Sequence, residues 1–401
     1  MTTRIRTLTV LAVVLALFVT AGVAALAIGL PHREAADPAA IGDPAASSTP
    51  TSGAGATTVR SATAIGRAFL AEYVDRSGSG AGRVVRRDQG GDTVSEGQAY
   101  GMLVAVGTGD EKTFRSIWTW TRKHLQRSDG LLAWRWDDGK VVDDMPASDA
   151  DLDAARALVL AGTAFGDPAF TKAGTALGSD LLDEMTVETP DGRILLPGPW
   201  ADGAGPWSYN PSYAAPATFA LMARTTKDPR WTELATGSRA VTAKILRGAA
   251  LPSDWAQVRL DGTVVPLPSA TGNGGTVQYG YDAGRLAVRY AESCSSTDVA
   301  LAADLAAPLA GKDPLPMQLD LGGTATNGDQ NPLGYVARAA ARAASGQQEA
   351  AESDLRKADD LARSTPTYYG DAWDALGALQ LRTDSLGSCS PLASQASPKG
   401  Q

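Results

Sequence analysis

The sequence predicts an all-α protein folded as an (α/α)6 barrel of six helical hairpins, and three observations predict it. Beyond residue 60 apolar residues recur at helical spacing almost throughout, while strand-like alternation is scarce. The periodic stretches number twelve: 61–75, 96–107, 111–127, 149–164, 167–186, 211–225, 228–246, 280–293, 296–309, 329–344, 347–363 and 370–383. Their connections alternate in length. Short turns such as Gly166-Asp167-Pro168, Lys227-Asp228-Pro229 and Ser345-Gly346 lead into odd-numbered members. The long loops 76–95, 128–148, 187–210, 247–279 and 310–328 lead into even-numbered ones. Two concentric rings produce this asymmetry, with the long loops and the inner helices' N-termini on one face. A bundle or a solenoid fits it less well, and no period is strict enough to be a sequence repeat.

In chain order, the first element is addressed to a membrane. Arg4 and Arg6 precede an uncharged stretch from Thr7 to Leu30, rich in Leu, Val and Ala. A spanning helix needs roughly 17–25 residues, against ~7–15 for the apolar part of a signal peptide. Residues 1–30 therefore read as a signal-anchor with the rest exported. The other reading is a signal peptide cleaved near the small residues Ala25 and Ala27. Residues 31–59, rich in Pro, Ala, Ser, Thr and Gly, read as a flexible linker. The barrel then occupies 60–390, and 391–401 read as a disordered tail. Export places Cys294 and Cys389 in oxidising surroundings, where closing the ring could pair them.

The even-numbered helices begin with the chemically interesting residues: Glu96, Asp149, Asn210-Pro211-Ser212-Tyr213, Asp282, Asp329 and Asp371. Helix capping explains Asp329 and Asp371. It does not explain Glu96, because Glu is a poor N-cap. Nor does it explain ASDADLD (147–153), whose Asp149, Asp151 and Asp153 exceed what capping needs. Like charges at this spacing repel and raise one another's pKa, so such a cluster is costly. Acids brought by separate helix starts to one place indicate a carboxylate-driven reaction.

Subtraction narrows the chemistry. Only two histidines are present, His32 and His124, so nucleophilic triads have almost no material. The two cysteines form no CxxC pair, which argues against a zinc site. Asp149-x-Asp151-x-Asp153 imitates half an EF-hand loop, but Ala154 and Leu160 stand where that loop needs Gly and Glu. No phosphate loop is present, and no metal or cofactor is expected. A net charge of −8 with pI near 5.0 argues against nucleic acid as a partner. Acid–base chemistry by Asp and Glu remains, the toolkit of glycoside hydrolysis. Nine tryptophans include loop residues Trp134, Trp136, Trp200, Trp207 and Trp255. Most read as packing, whereas Trp134 and Trp136, beside the acidic cluster, suit stacking on sugar rings.

At these residues the chain resembles glycoside hydrolase family 8. ASDADLDAARALVLAGTAF (147–165) is similar to that family's signature, with Ala154 where Ile or Met is usual. That change bears on packing rather than chemistry. SEGQAYGM (95–102) resembles the segment bearing the general acid, and NPSYAAPATFALM (210–222) the Asn-Pro-Ser-Tyr helix. YDAGR (281–285) resembles the segment bearing the general base, and YYGDAWDALG (368–377) the last helix. The likeness runs over roughly residues 60–385 with its motifs in family order. It implies an (α/α)6 barrel hydrolysing β-1,4-linked polysaccharide with inversion, endo-acting and without a metal.

By this resemblance Glu96 is the general acid, Asp282 the general base, and Asp149 the residue that binds and distorts the central sugar. Inversion requires acid and base about 6.5–9.5 Å apart, with water between. A helix N-terminus favours the ionised carboxylate, so the acid needs burial or a neighbouring carboxylate to keep its proton. Asp149 is the obvious neighbour. Arg285, one turn beyond Asp282, can steady a carboxylate or a hydroxyl. Tyr213 either assists near the catalytic water or is a core tyrosine, and Asp151 joins the substrate contacts. The expected polymer is β-1,4-glucan, with xylan and chitosan as alternatives. A weakly catalytic glycan-binding protein is the reading from another class. The sequence does not reveal an oligomeric state.

Overall fold

Composition sorts the helices into two rings. The computed structural model describes residues 59–392. Its helices run α1 (Ala62–Tyr73), α2 (Ser95–Gly107), α3 (Glu111–His124), α4 (Ser148–Ala164), α5 (Pro168–Glu184), α6 (Pro216–Thr226) and α7 (Arg230–Gly248). They continue with α8 (Ala283–Ala291), α9 (Ser296–Ala303), α10 (Ala306–Leu309), α11 (Pro332–Ala344), α12 (Gln348–Ser364) and α13 (Tyr368–Arg382). Helices α2, α4, α8, α11 and α13 are buried on nearly every side and, with α6, make the inner ring. Helices α1, α3, α5, α7, α9 and α12 bury one stripe each and make the outer ring. The inner ring closes through the pairs α2–α4, α4–α6, α6–α8, α8–α11, α11–α13 and α13–α2. This is an (α/α)6 barrel.

Several starts differ from expectation, for local reasons. Helix α6 begins at Pro216 rather than 211, because proline lacks the N–H a preceding turn would use and suits a first helical position. Helix α11 begins at Pro332, and its cap is Asn331, which accepts from the Leu333 amide; Asp329 is not the cap. Thr367 caps α13, while Asp371 lies inside the first turn and accepts from the Tyr73 hydroxyl at 2.8 Å. The stretch 296–309 breaks into α9 and α10.

The long loops carry strands that the periodicity did not reveal. They form β1 (Thr93–Val94), β2 (Ala133–Asp137) and β3 (Lys140–Pro146) in one sheet, and β4 (Thr186–Thr189) with β5 (Gly192–Leu195) in another. A third holds β6 (Trp207–Tyr209), β7 (Trp255–Val258) and β8 (Val264–Leu267). All pairs are antiparallel. Most strands are too short for alternation to register. The β2–β3 hairpin did carry a signal, Asp138-Gly139, whose φ values of 46° and 81° are those of a primed turn. Strand β1 runs straight into α2, and β3 is followed within two residues by α4, so the small sheets frame the inner helices' N-termini.

Cys294 and Cys389 are bonded, with Cα atoms 5.0 Å apart, linking the α8–α9 turn to the chain after α13. A cross-link across 95 residues removes unfolded-state entropy; for such a loop the chain model gives ~4–5 kcal/mol. No helix among the described residues is long and apolar enough to cross a membrane. The apolar stretch 7–30, residues 31–58 of the linker and residues 393–401 lie outside the described residues.

Candidate active site

Three inner helices deliver the acids. Glu96 and Asp149 occupy the first turns of α2 and α4, and Asp282 is the N-cap position of α8. At helix N-termini the unpaired amides favour negative charge, which makes these workable places for carboxylates. The side chains meet on Arg285, one turn into α8 and only 2% exposed. Its Nη1 donates to Glu96 Oε1 at 2.7 Å and to Asp149 Oδ2 at 3.0 Å, while Nη2 donates to Asp282 Oδ1. Glu96 and Asp282 therefore stand at the two amino ends of one guanidinium, and Asp149 shares Glu96's end. The Tyr100 hydroxyl, four residues along α2, donates to Glu96 Oε1 at 2.6 Å. The Tyr213 ring lies under the guanidinium, 5.3 Å from its carbon.

Burial and the crowding of negative charge raise the proton affinities of Asp149 and Asp282. Burial pushes Asp149 up to about 6, against the pull of Arg285 and with the charges of Glu96 and Asp153 adding. Burial also raises Asp282; Arg285 opposes this and the Asp149 charge adds to it. A fourth carboxylate stands behind: Asp254, just before β7, is pushed up to about 7 by burial and by the charge of Asp282. The site thus holds protons near neutrality, as acid–base chemistry requires.

Helical geometry explains the ASDADLD cluster and corrects part of its reading. Positions four apart share a face, whereas two apart differ by about 200°. Asp149, Asp153 and Arg156 accordingly face α8, pairing with Arg285, Arg289 and Glu292, each 136 residues on. All six are buried, and they form an ionic ladder down the barrel. Asp151 turns the other way. It is fully buried, accepts from the Leu132 amide at 2.9 Å, and lines no part of the site. The expectation that Asp151 contacts substrate is therefore corrected.

Trp136 is only partly buried. Arg83 lies over its ring, 4.6 Å from the centroid, and Trp120 packs edge-on at 5.4 Å, so Trp136 joins β2 to α3. Trp134 is half-buried on the strand beside β1, which leads to Glu96. Trp207 and Trp255 are buried, whereas Trp200 is 43% exposed. It follows Pro197, whose carbonyl accepts from the Ser148 amide at 3.1 Å, next to Asp149.

Three residues of the site escaped the sequence reading. Tyr100 was legible in principle, at helical spacing from Glu96. Tyr369, whose hydroxyl donates to the Tyr281 carbonyl at 3.0 Å, opens α13 and faces the same charges. Asp254 gave no signal, lying in a loop without periodicity.

Comparison with known proteins points one way. Residues 56–380 match the model of glycosyl hydrolases family 8. The chain is 35% identical over 226 residues to a probable endoglucanase of Novacetimonas hansenii, covering 54% of this chain and 63% of that protein. It is 30% identical over 190 residues to an endoglucanase of Cellulomonas uda, covering 46% and 53%. It thus spans less than two thirds of the length of these relatives. Among solved structures, an endo-β-1,4-glucanase of Acetobacter xylinum superimposes with a TM-score of 0.67 at 27% identity, over 80% of this chain and 97% of that one. A β-1,3-1,4-glucanase of a Paenibacillus species shares the fold, with a TM-score of 0.70 at 20% identity.

Proposed function

This chain belongs to glycosyl hydrolases family 8, and from that premise we propose that it is an inverting, endo-acting hydrolase of β-1,4-glucan. The observation that carries this reading is the convergence of Glu96, Asp149 and Asp282 on Arg285. Glu96 is the general acid: it protonates the leaving glycosidic oxygen, with Tyr100 and Arg285 orienting its carboxyl. Asp282, at the other end of the guanidinium, is the base that takes a proton from the attacking water. Asp149, buried beside Glu96, binds the sugar at the cleavage point and favours its distorted ring. Tyr213 steadies Arg285, and Trp134, joined by the exposed Trp200, offers aromatic faces to the flanking sugars.

The test is release of reducing sugar from carboxymethylcellulose, mixed-linkage glucan, xylan and chitosan in parallel. The expected result is highest activity on the two glucans, lost by ~10²–10⁴-fold in Glu96→Gln, which keeps the shape of the acid without its proton. A preference for xylan or chitosan would reassign the polymer. No release from any, with glucan binding intact, would favour a binding protein.

The same proposal places the enzyme outside the cytoplasm, anchored through residues 1–30 or released after cleavage beside Ala27. Supporting it are Arg4 and Arg6 ahead of the apolar stretch 7–30, and the Cys294–Cys389 bond, which suits an oxidising compartment. Fractionation of cells expressing the full chain tests this, since protein in the medium beginning near residue 28 would exclude the anchor.

A further inference from the structure

We propose that Asp254 is a positioning residue that holds the start of α8 so that the Asp282 carboxylate stays free for the attacking water. The inference rests on the reading of Asp282 as the general base. An Asp at an N-cap ordinarily turns its side chain back onto the amides of its own helix. Asp282 occupies that position and makes no such bond. Asp254 makes it instead, from another loop. Its Oδ1 accepts from the amides of Gly280 at 2.9 Å, Asp282 at 3.2 Å and Ala283 at 2.8 Å. Its own amide donates to the Gln278 carbonyl at 2.9 Å, so the two segments are tied in both directions.

The residue at 280 fits this role. A Cβ there would lie 2.6 Å from Asp254 Oδ2, so glycine is what lets the carboxyl come this close. Electrostatics acts in the same sense. Burial and the charge of Asp282 push Asp254 up to about 7, so this carboxyl holds a proton near neutrality. A proton on Asp254 relieves the repulsion against a charge on Asp282, which favours an ionised base. A protonated Asp254 is also matched in shape by asparagine, which keeps one oxygen to accept the three amides.

The experiment measures kcat and KM on soluble β-glucan for wild type, Asp254→Ala, Asp254→Asn, Gly280→Ala and Asp282→Asn, with folding checked by circular dichroism. Misplacing a reacting group by about an ångström costs on the order of 10²-fold in rate. Asp254→Ala and Gly280→Ala are therefore expected to lose about that factor in kcat with KM little changed, and Asp254→Asn to recover most of it. Wild-type kcat in Asp254→Ala or in Gly280→Ala overturns the proposal, as does an Asp254→Asn enzyme no faster than Asp254→Ala. Should Asp254→Ala not fold, Gly280→Ala and Asp254→Asn decide the matter. An active Asp282→Asn would overturn the base assignment itself, whereas inactive Asp282→Asn beside fully active Asp254→Ala would overturn only the positioning role.

Discussion

Burial beside Arg285 and its crowd of carboxylates has a measurable consequence at Asp149. That carboxyl titrates at about 6 in the folded protein against an ordinary 3.8, chiefly through burial. The unfolded chain thus gives up the proton first. Stability contributed by the protonated carboxyl is fully present below about 3.8 and is lost as pH rises to about 6. Asp149→Asn does not titrate and leaves Arg285 two carboxylate partners. It is expected to match wild type near pH 4 and to exceed it by ~1–3 kcal/mol at pH 7.5, while losing activity. Urea unfolding at both pH values checks this, and a variant less stable than wild type at pH 7.5 would contradict it. At this scale the sequence revealed what sits at helix starts. Glu96, Asp149 and Asp282 stood out because capping could not account for the first two and family likeness marked the third. Asp151 misled because proximity in sequence is not proximity on a helix. Asp254 was illegible because it acts through backbone amides some thirty residues on.

The pairing of α4 with α8 shows how an element turns a costly cluster into a scaffold. Asp153 and Arg289 are buried and doubly hydrogen-bonded one turn below the site. Removing one partner strands the other's charge, so Asp153→Ala is expected to cost ~3–5 kcal/mol. Replacing both, as Asp153→Leu with Arg289→Met, should cost far less, because apolar packing replaces an ion pair that must be desolvated. Chemical denaturation of the three proteins checks this. A double variant as unstable as the single would contradict the account. The helices were legible because burial on one stripe or all round leaves a long periodic trace, as in FALMARTT of α6. The strands were not, since TV of β1 and WSY of β6 are too short to show a period. Proline decided the starts of α6 and α11 against the periodic pattern.

Across the whole molecule, two rings place the inner helices' N-termini, with Glu96, Asp149 and Asp282, and the long loops on one face. The Cys294–Cys389 bond ties the last helix to the element after α8, steadying the ring behind the proposed base. Alternating loop length, together with the acids at the even-numbered helix starts, foretold this arrangement. Glu96 and Asp282, held at opposite ends of Arg285, are proposed to take a water between them and to act by single displacement. Proton NMR of the first products released from a soluble β-1,4-glucan tests that most directly. The α-anomer is expected first, followed by mutarotation, whereas a β-anomer formed first would mean a covalent intermediate and rule out single displacement.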